Sequence, residues 1–310
     1  SQSRGLGDVY KRQKLDTSQG IYILQEINQK VFNEPELALE NIKRVSIWLK
    51  EHEFNYAFPT PIHFTYKFFF DKLWRLLPYI NATSYNEIKN KKMVSNATVC
   101  IADFYRLLDQ FPVQDLHVTI PHFHHGKYYI DEFHKALNHC SSERKSQAIQ
   151  EINHIKSALD ELVYFDEVVR QLPNRVVHFD TKISNFLFDE DFNVKALIDL
   201  DTLMPGSILS DVGDMIRTYS NKLGEESTDF DRIKADPETV ETIVDSILQH
   251  TQLTDLEKNH LFFAGKAITL MQSVRFLTDF LKGDVYYAIN HPFHNLNRAK
   301  NQFILYDSMN

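Results

Sequence analysis

Residues 175–217 read RVVHFDTKISNFLFDEDFNVKALIDLDTLMPGSILSDVGDMIR. The stretch opens on H-x-D-x-K-x-x-N, formed by His178, Asp180, Lys182 and Asn185, and fourteen residues past Asn185 an apolar run ends in Asp199-Leu-Asp201. Short β-type runs at 175–178, 185–189 and 196–200, with DEDFN turning between the last two, place Asp180, Asn185 and Asp199 at strand ends that converge in space. Phosphoryl transfer asks a protein mainly for positioning and charge neutralisation. Two carboxylates and an amide oxygen in one cleft suit Mg2+, a hard ion that takes oxygen ligands together with nucleotide phosphates. In that arrangement Asp180 accepts the proton of an acceptor hydroxyl. Asn185 and Asp199 hold the metal, and Lys182 stands near the transferred group as a point charge. Asp and Asn are also ordinary turn residues. The agreement of the D-x-K-x-x-N spacing with the apolar strand before it and the Ile-Asp-Leu-Asp after it decides for a site. Asp201 is left as a second metal or substrate group, or as a cap of the loop after it. Asp211 is expected to be buried and to hydrogen-bond the backbone of the catalytic loop.

Upstream, the opening SQSRGLGDVYKRQ joins poorly to the patterned segment that begins at Lys14. Its GLGDV matches neither G-x-G-x-x-G nor Walker A spacing, and residues 1–13 are set aside as an artefactual or disordered tail. KLDT-SQG-IYILQEI reads as a hairpin turning at Ser18–Gly20. Asn33-Glu34-Pro35-Glu36 opens a helix with Asn33 as its cap, and Ala38, Ile42, Val45 and Leu49 carry the apolar stripe to about Glu53. PIHFTYKFFFD and KLWRLLPYI read as two further strands. This order is that of a kinase small lobe, here lacking its first strands and covering 14–81, with a mainly helical large lobe over 82–310. The fold class expected is α+β, bilobal and protein-kinase-like.

In the large lobe, Tyr85–Gln110 and Asp131–Gln171 are helical by pattern, the second ended by Pro173. Between them LHVTIPHFHHGKYY holds His117, His122, His124 and His125. H-x-H-H has no helical i,i+4 pair and no nearby Cys or carboxylate, so a packed polar loop is preferred to a zinc site. Past the polar stretch GEESTDFDR, helices are expected at Pro237–His250 and Asp255–Lys282, then through HPFHNLNRAKNQFILYDSM. His291 and His294 are placed on the surface. Lys266, Arg275 and Asp279 interrupt FFAGKAITLMQSVRFLTDFL, which makes it a core helix rather than a membrane span.

The 310 residues, 43% hydrophobic and 25% charged, describe a globular chain, and the formal net charge of −8 argues against a nucleic-acid partner. Neither a membrane span nor a signal peptide is read. Cys100 and Cys140 are isolated, which fits a reducing cytoplasm. A monomer or weak dimer is expected.

On the residues HFDTKISN, LIDLDT, DVGDMIR, YILQEIN and RFLTDFLKGDVYY, the sequence resembles the aminoglycoside phosphotransferase/choline kinase-like superfamily, most closely its bacterial N-acetylhexosamine 1-kinases. The likeness covers nearly everything from Lys14 onward. It implies ATP-dependent phosphorylation of the anomeric hydroxyl of GlcNAc or GalNAc, with Asp180 as base and Mg2+ on Asn185 and Asp199. It further implies sugar contacts from Arg275 and Tyr286, with Asp201 on the substrate side, and nucleotide contacts at Gln25, Pro78, Tyr79 and Ile80. Arg275 has a plainer alternative, a pairing with Asp279 four residues on along a solvated helix face. Kinase folds carry a strand lysine that grips the α/β-phosphates; here the equivalent position is Gln25. Another small alcohol as acceptor (choline, homoserine, an aminoglycoside) and a nucleotide-binding pseudokinase stand as the alternatives.

Overall fold

The computed structural model describes residues 12–27, 34–69 and 72–310. Strands β1 (Arg12–Thr17) and β2 (Gly20–Ile27) form the expected hairpin, and β4 (Lys72–Pro78) and β3 (His63–Phe69) extend it into an antiparallel sheet of order β1-β2-β4-β3. Arg12 and Gln13, set aside with the tail, pair with Gln25 and Leu24 and are part of the sheet. Helix α1 (Pro35–Glu51) starts with proline in its first turn, where the missing N–H costs nothing. Asn33, expected as its cap, lies outside the described residues. Buried Asn41 pins α1 to the large lobe. Its amide nitrogen donates to the carbonyls of His117 at 2.8 Å and Leu203 at 2.9 Å, and its oxygen accepts from His117 N at 2.8 Å.

The segment Pro78–Ile80 leaves β4 and leads to β5 (Thr83–Ser84), which pairs with β7 (Phe186–Phe188) of the large lobe. The helix expected from Tyr85 begins only at α2 (Lys91–Leu107). Asn90 accepts a hydrogen bond from Met93 N at 3.0 Å and caps it there, while Tyr85 packs instead on Phe188 and Phe192. The run expected over 131–171 divides into α3 (Gly126–His139), α4 (Ser142–Gln147) and α5 (Ile149–Val169); Ser141 caps α4 and breaks the continuity.

Strands β6 (Arg175–Val177) and β7 fall where the sequence places them. Strand β8 (Val194–Leu197) starts two residues earlier than expected and ends before Asp199, with a tight turn at Leu200–Thr202 in place of its expected end, and β9 (Met204–Gly206) adds an unforeseen partner for β6. Helices α6 (Ile208–Ser220), α7 (Pro237–His250), α8 (Asp255–Lys282) and α9 (His294–Asp307) complete the large lobe. Helix α8 starts at a capping box of Thr254 and Glu257. It is a core helix, and no described helix is long and apolar enough to cross a membrane. The α+β, bilobal, protein-kinase-like architecture is therefore the one observed.

The α6–α8 crossing is close because Gly213 lets it be. A Cβ there would lie 2.5 Å from Ile268 Cγ1 and 2.6 Å from the Ala264 carbonyl oxygen, a backbone atom that cannot swing aside. Since α6 carries Asp211 and Asp214, spreading this crossing disturbs the site as well as the core. Gly213→Ala is expected to destabilise the fold by about 1–3 kcal/mol, measured as a lower urea midpoint at unchanged m-value.

Candidate active site

The loop after β6 is shaped from beneath by Asp211, which is wholly buried. Its carboxylate accepts from the backbone N–H of His178 at 2.9 Å, the backbone N–H of Phe179 at 2.6 Å and the Tyr105 hydroxyl at 2.6 Å. Phe179 adopts φ +65°, a left-handed conformation costly for a bulky residue. The two amide bonds hold it there. Thr181 Oγ1 donates to the Asp211 carbonyl at 2.8 Å, and Tyr219 Oη donates to the Thr181 carbonyl at 2.7 Å. The loop is thus bound on both sides of Asp180.

Asp180 and Lys182 form a contact pair, Nζ to Oδ2 at 2.7 Å. Burial opposes the lysine's charge, but the Asp180 and Asp199 carboxylates more than compensate and raise its pKa. Asn185 donates from Nδ2 to the Asp180 carbonyl at 2.8 Å and accepts at its own carbonyl from Ile198 N at 2.9 Å. His178 Nε2 lies 3.0 Å from the Ile198 carbonyl. These bonds set Asn185 beside Asp199, which itself takes φ +63°. Burial pushes the Asp199 pKa up, yet Arg12 (3.3 Å away), Lys182 and Arg75 outweigh it and hold the group below its ordinary range. An ionised carboxylate beside an amide side chain is an all-oxygen donor set of the kind Mg2+ takes alongside phosphate oxygens, so Asn185 and Asp199 fit that ion. Among the described residues no group of three or more His, Cys, Asp or Glu is disposed to hold a metal.

Asp180 and Lys182 line a cavity of about 550 Å3 between the catalytic loop, α6, α8 and the segments 123–124 and 223–226. Arg275 of α8 is in its wall, and its guanidinium lies 5.2–5.8 Å from the ring centres of Phe123, Tyr129 and Tyr287. Arg275 Nη1 donates to Gln272 Oε1 at 2.9 Å, and Gln272 Nε2 donates to Tyr287 Oη at 3.2 Å. Tyr286 touches Arg275 from a half-exposed position, 47% accessible, whereas its neighbour Tyr287 lines the cavity. The alternative partner of Arg275 is otherwise engaged. Asp279 accepts from the backbone N–H groups of Val285, Tyr286 and Tyr287 at 3.0, 2.9 and 2.9 Å and so shapes the loop that presents both tyrosines.

Asp201 is 5% exposed and receives the guanidinium of Arg75, with Nη2 to Oδ2 at 2.8 Å. Gln25 is buried too, and its Oε1 accepts from Arg75 Nε at 3.0 Å and Nη2 at 2.9 Å. Pro78, Tyr79 and Ile80 lie on the segment that leaves β4 toward the large lobe, where Tyr79 N donates to the Ile21 carbonyl at 3.2 Å and the Lys14 ammonium sits 4.2 Å over the Tyr79 ring.

Several site residues escaped the sequence reading. The histidine loop is not bland: His124 stacks on Phe123, packs edge-on to Phe179 and lines the cavity. Burial first, then Arg275 and Arg217, hold its pKa well below the ordinary value, so its ring is neutral. His117 lies 3.0 Å from Glu40, and His125 caps α3. His294, expected on the surface, is 6% exposed and bonds Glu226 through Nε2; His291 is exposed. Gln272 and Arg275 share an i,i+3 face of α8, a spacing the sequence does display.

The cavity's far wall is a charge network. Arg217 donates to Asp214 Oδ1 at 2.9 Å and to Glu225 Oε2 at 3.0 Å, and Arg298 donates to Glu225 Oε1 at 2.6 Å. Burial opposes ionisation of Glu225, but Arg298 and Arg217 prevail and bring its pKa to about 2. The unfolded value is about 4.3, so the stability this network contributes is complete above that pH and is lost as the pH falls towards 2. Glu225→Gln is expected to show a shallower loss of stability than the wild type in this window, read by urea unfolding at successive pH values.

Residues 6–236 match the family described as "Phosphotransferase enzyme family". The chain belongs to this phosphotransferase enzyme family. The fold is shared with an aminoglycoside phosphotransferase from Alicyclobacillus acidocaldarius at TM-score 0.66 and 12% identity, over 99% of this chain and 91% of that one. It is shared also with a spectinomycin phosphotransferase solved with ADP and spectinomycin, at TM-score 0.57 and 13% identity over 97% and 87% of the two chains. A choline kinase from Streptococcus pneumoniae is similar at TM-score 0.53 and 14% identity, over 97% and 90%. Membership of a phosphotransferase family agrees with the phosphotransferase resemblance seen in HFDTKISN and LIDLDT.

Proposed function

We propose that the protein transfers the γ-phosphoryl group of ATP to the anomeric hydroxyl of an N-acetylhexosamine, GlcNAc or GalNAc, giving the sugar 1-phosphate. The observation that carries the choice of acceptor is Arg275. A quaternary ammonium is recognised by a cage of aromatic faces, and the rings of Phe123, Tyr129 and Tyr287 already surround a guanidinium. A second cation placed there would be repelled. The acidic residues that would draw a polycationic aminoglycoside are offset as well, since Glu225 is held by Arg217 and Arg298. A neutral polyol with an acyl carbonyl suits such a wall: the guanidinium fork donates to oxygens, and the tyrosine ring offers a face and a hydroxyl.

In this reading the acceptor hydroxyl gives its proton to Asp180 as its oxygen bonds the γ-phosphorus and the bond from that phosphorus to the β,γ-bridging oxygen breaks, ADP leaving with the electron pair. Lys182, 2.7 Å from Asp180, orients its carboxylate and carries positive charge toward the transferred group. Asn185 and Asp199 hold Mg2+, which when bound neutralises the charge on the nucleotide phosphates. The complexes of similar phosphotransferases with ADP and GDP support nucleotide binding; in this reading the nucleotide lies between the lobes, beside Pro78–Ile80.

The test is ADP release with ATP, Mg2+ and a panel of GlcNAc, GalNAc, glucose, choline and kanamycin. Turnover with the N-acetylhexosamines above the others is the expected result. Release with choline alone overturns the sugar assignment, and no release with any acceptor overturns the enzyme reading. Arg275→Met should lower kcat/KM for the sugar roughly 10- to 100-fold, the worth of a charged hydrogen bond, while the KM for ATP stays within about twofold.

A further inference from the structure

Kinase folds hold the nucleotide with a lysine on a small-lobe strand, ion-paired to a glutamate on the adjacent helix. Here that strand position is Gln25, 1% exposed. The residue opposite it in register on β4 is Arg75, which the strand's two-residue alternation turns to the same buried side as Leu73. Arg75 reaches out of the sheet. Its Nε and Nη2 are steadied by Gln25 Oε1, and its two terminal nitrogens fork onto the two oxygens of Asp201. Asp201 lies on the tight turn Leu200–Thr202 that directly succeeds Asp199, so a cation rooted in the small lobe grips the turn bearing the metal-binding carboxylate. A planar guanidinium suits this task, because its fork matches a carboxylate and fixes orientation as well as charge. Gln25 Nε2 is buried and meets no acceptor among the described residues, so the glutamine is committed to the arginine through its oxygen alone.

We propose that Arg75, held by Gln25, is a positioning residue of the phosphoryl-transfer site: through Asp201 it fixes the Asp199 turn relative to the small lobe, in place of the strand-to-helix pair of other kinases. Asp201 is thereby the anchor of Arg75 rather than a ligand of the metal or the acceptor. This inference rests on the kinase reading above.

The experiment compares wild type, Arg75→Gln, Arg75→Lys, Asp201→Asn and the Arg75→Gln/Asp201→Asn double variant. Binding of a fluorescent ATP analogue is titrated with Mg2+ and repeated in EDTA, and thermal midpoints are recorded alongside. Arg75→Gln and Asp201→Asn should each weaken Mg2+-dependent nucleotide binding about tenfold or more, with changes below about threefold in EDTA. The double variant should be no worse than the poorer single one, because one interaction is being removed twice. Arg75→Lys, which keeps the charge without the fork and serves where the glutamine variant fails to fold, should fall between. Wild-type Mg2+ dependence in a folded Arg75→Gln or Arg75→Lys overturns the assignment. So does a loss confined to Asp201→Asn, which would make Asp201 a metal ligand. A wild-type protein that binds no Mg2+-nucleotide overturns the kinase reading itself, and this inference with it.

Discussion

Asp180→Asn should reduce kcat by roughly 10²- to 10⁴-fold, the worth of a positioned general base, while Mg2+-nucleotide binding stays within a few-fold of wild type. The substitution keeps the volume of the side chain and removes its capacity to take a proton. The backbone of the loop is held independently of that side chain: Asn185 bonds the Asp180 carbonyl, and Thr181 is fixed from both Asp211 and Tyr219. What the variant does lose is the ionic partner of Lys182 Nζ, 2.7 Å away, so the lysine is released towards Asp199 without collapse of the loop. Single-turnover ADP release beside an independent binding titration separates the two effects. Activity within tenfold of wild type would remove Asp180 from the role of base.

Asp211→Ala is expected to have the largest effect on stability. Asp211 has no solvent exposure, and its removal strands the amides of His178 and Phe179 and the hydroxyl of Tyr105 in the interior. Each buried donor left without an acceptor costs about 1–3 kcal/mol, and partial relaxation brings the sum to roughly 3–5 kcal/mol, in the exceptional range for one substitution. The strained φ of Phe179 also loses its restraint, so turnover should fall together with stability. Tyr105→Phe deletes one donor and leaves the carboxylate on its two amides; it should cost only about 1 kcal/mol. Urea unfolding of the two variants measures the contrast. A cost for Asp211→Ala no greater than for Tyr105→Phe would show that the loop does not depend on this carboxylate.

The parts legible in the sequence are those written locally. Pro237–His250 and Asp255–Lys282 coincide with α7 and α8, because a proline or a capping box starts each and apolar spacing sustains it. The hairpin is equally plain at Ser18–Gly20. The placement of Asp180, Asn185 and Asp199 close to the ends of short strands was readable because the D-x-K-x-x-N spacing and the apolar runs beside it are local. The helix ends at Asn90 and Ser141 were missed because apolar periodicity continues across both caps. Strand β9 was missed because three residues, Met-Pro-Gly, carry no period; only their pairing with β6 makes them a strand.

The cavity wall is a different matter. Tyr286 and Tyr287 are adjacent and chemically alike, and the choice between them is made by Asp279, whose carboxylate gathers the amides of 285–287 and turns one ring inward. Arg75 stands in the sequence as one cation among strand residues. Its meaning appears only when Asp201, 126 residues away, is folded against it. His124 likewise joins the cavity wall only by stacking on Phe123 and packing against Phe179. The reaction class was thus legible in the sequence itself, since the groups proposed to hold phosphate and metal lie within one short stretch at fixed spacing. The acceptor wall and the coupling of the lobes were decided by the tertiary structure, because they are built from side chains whose separation along the chain is unrelated to their separation in space.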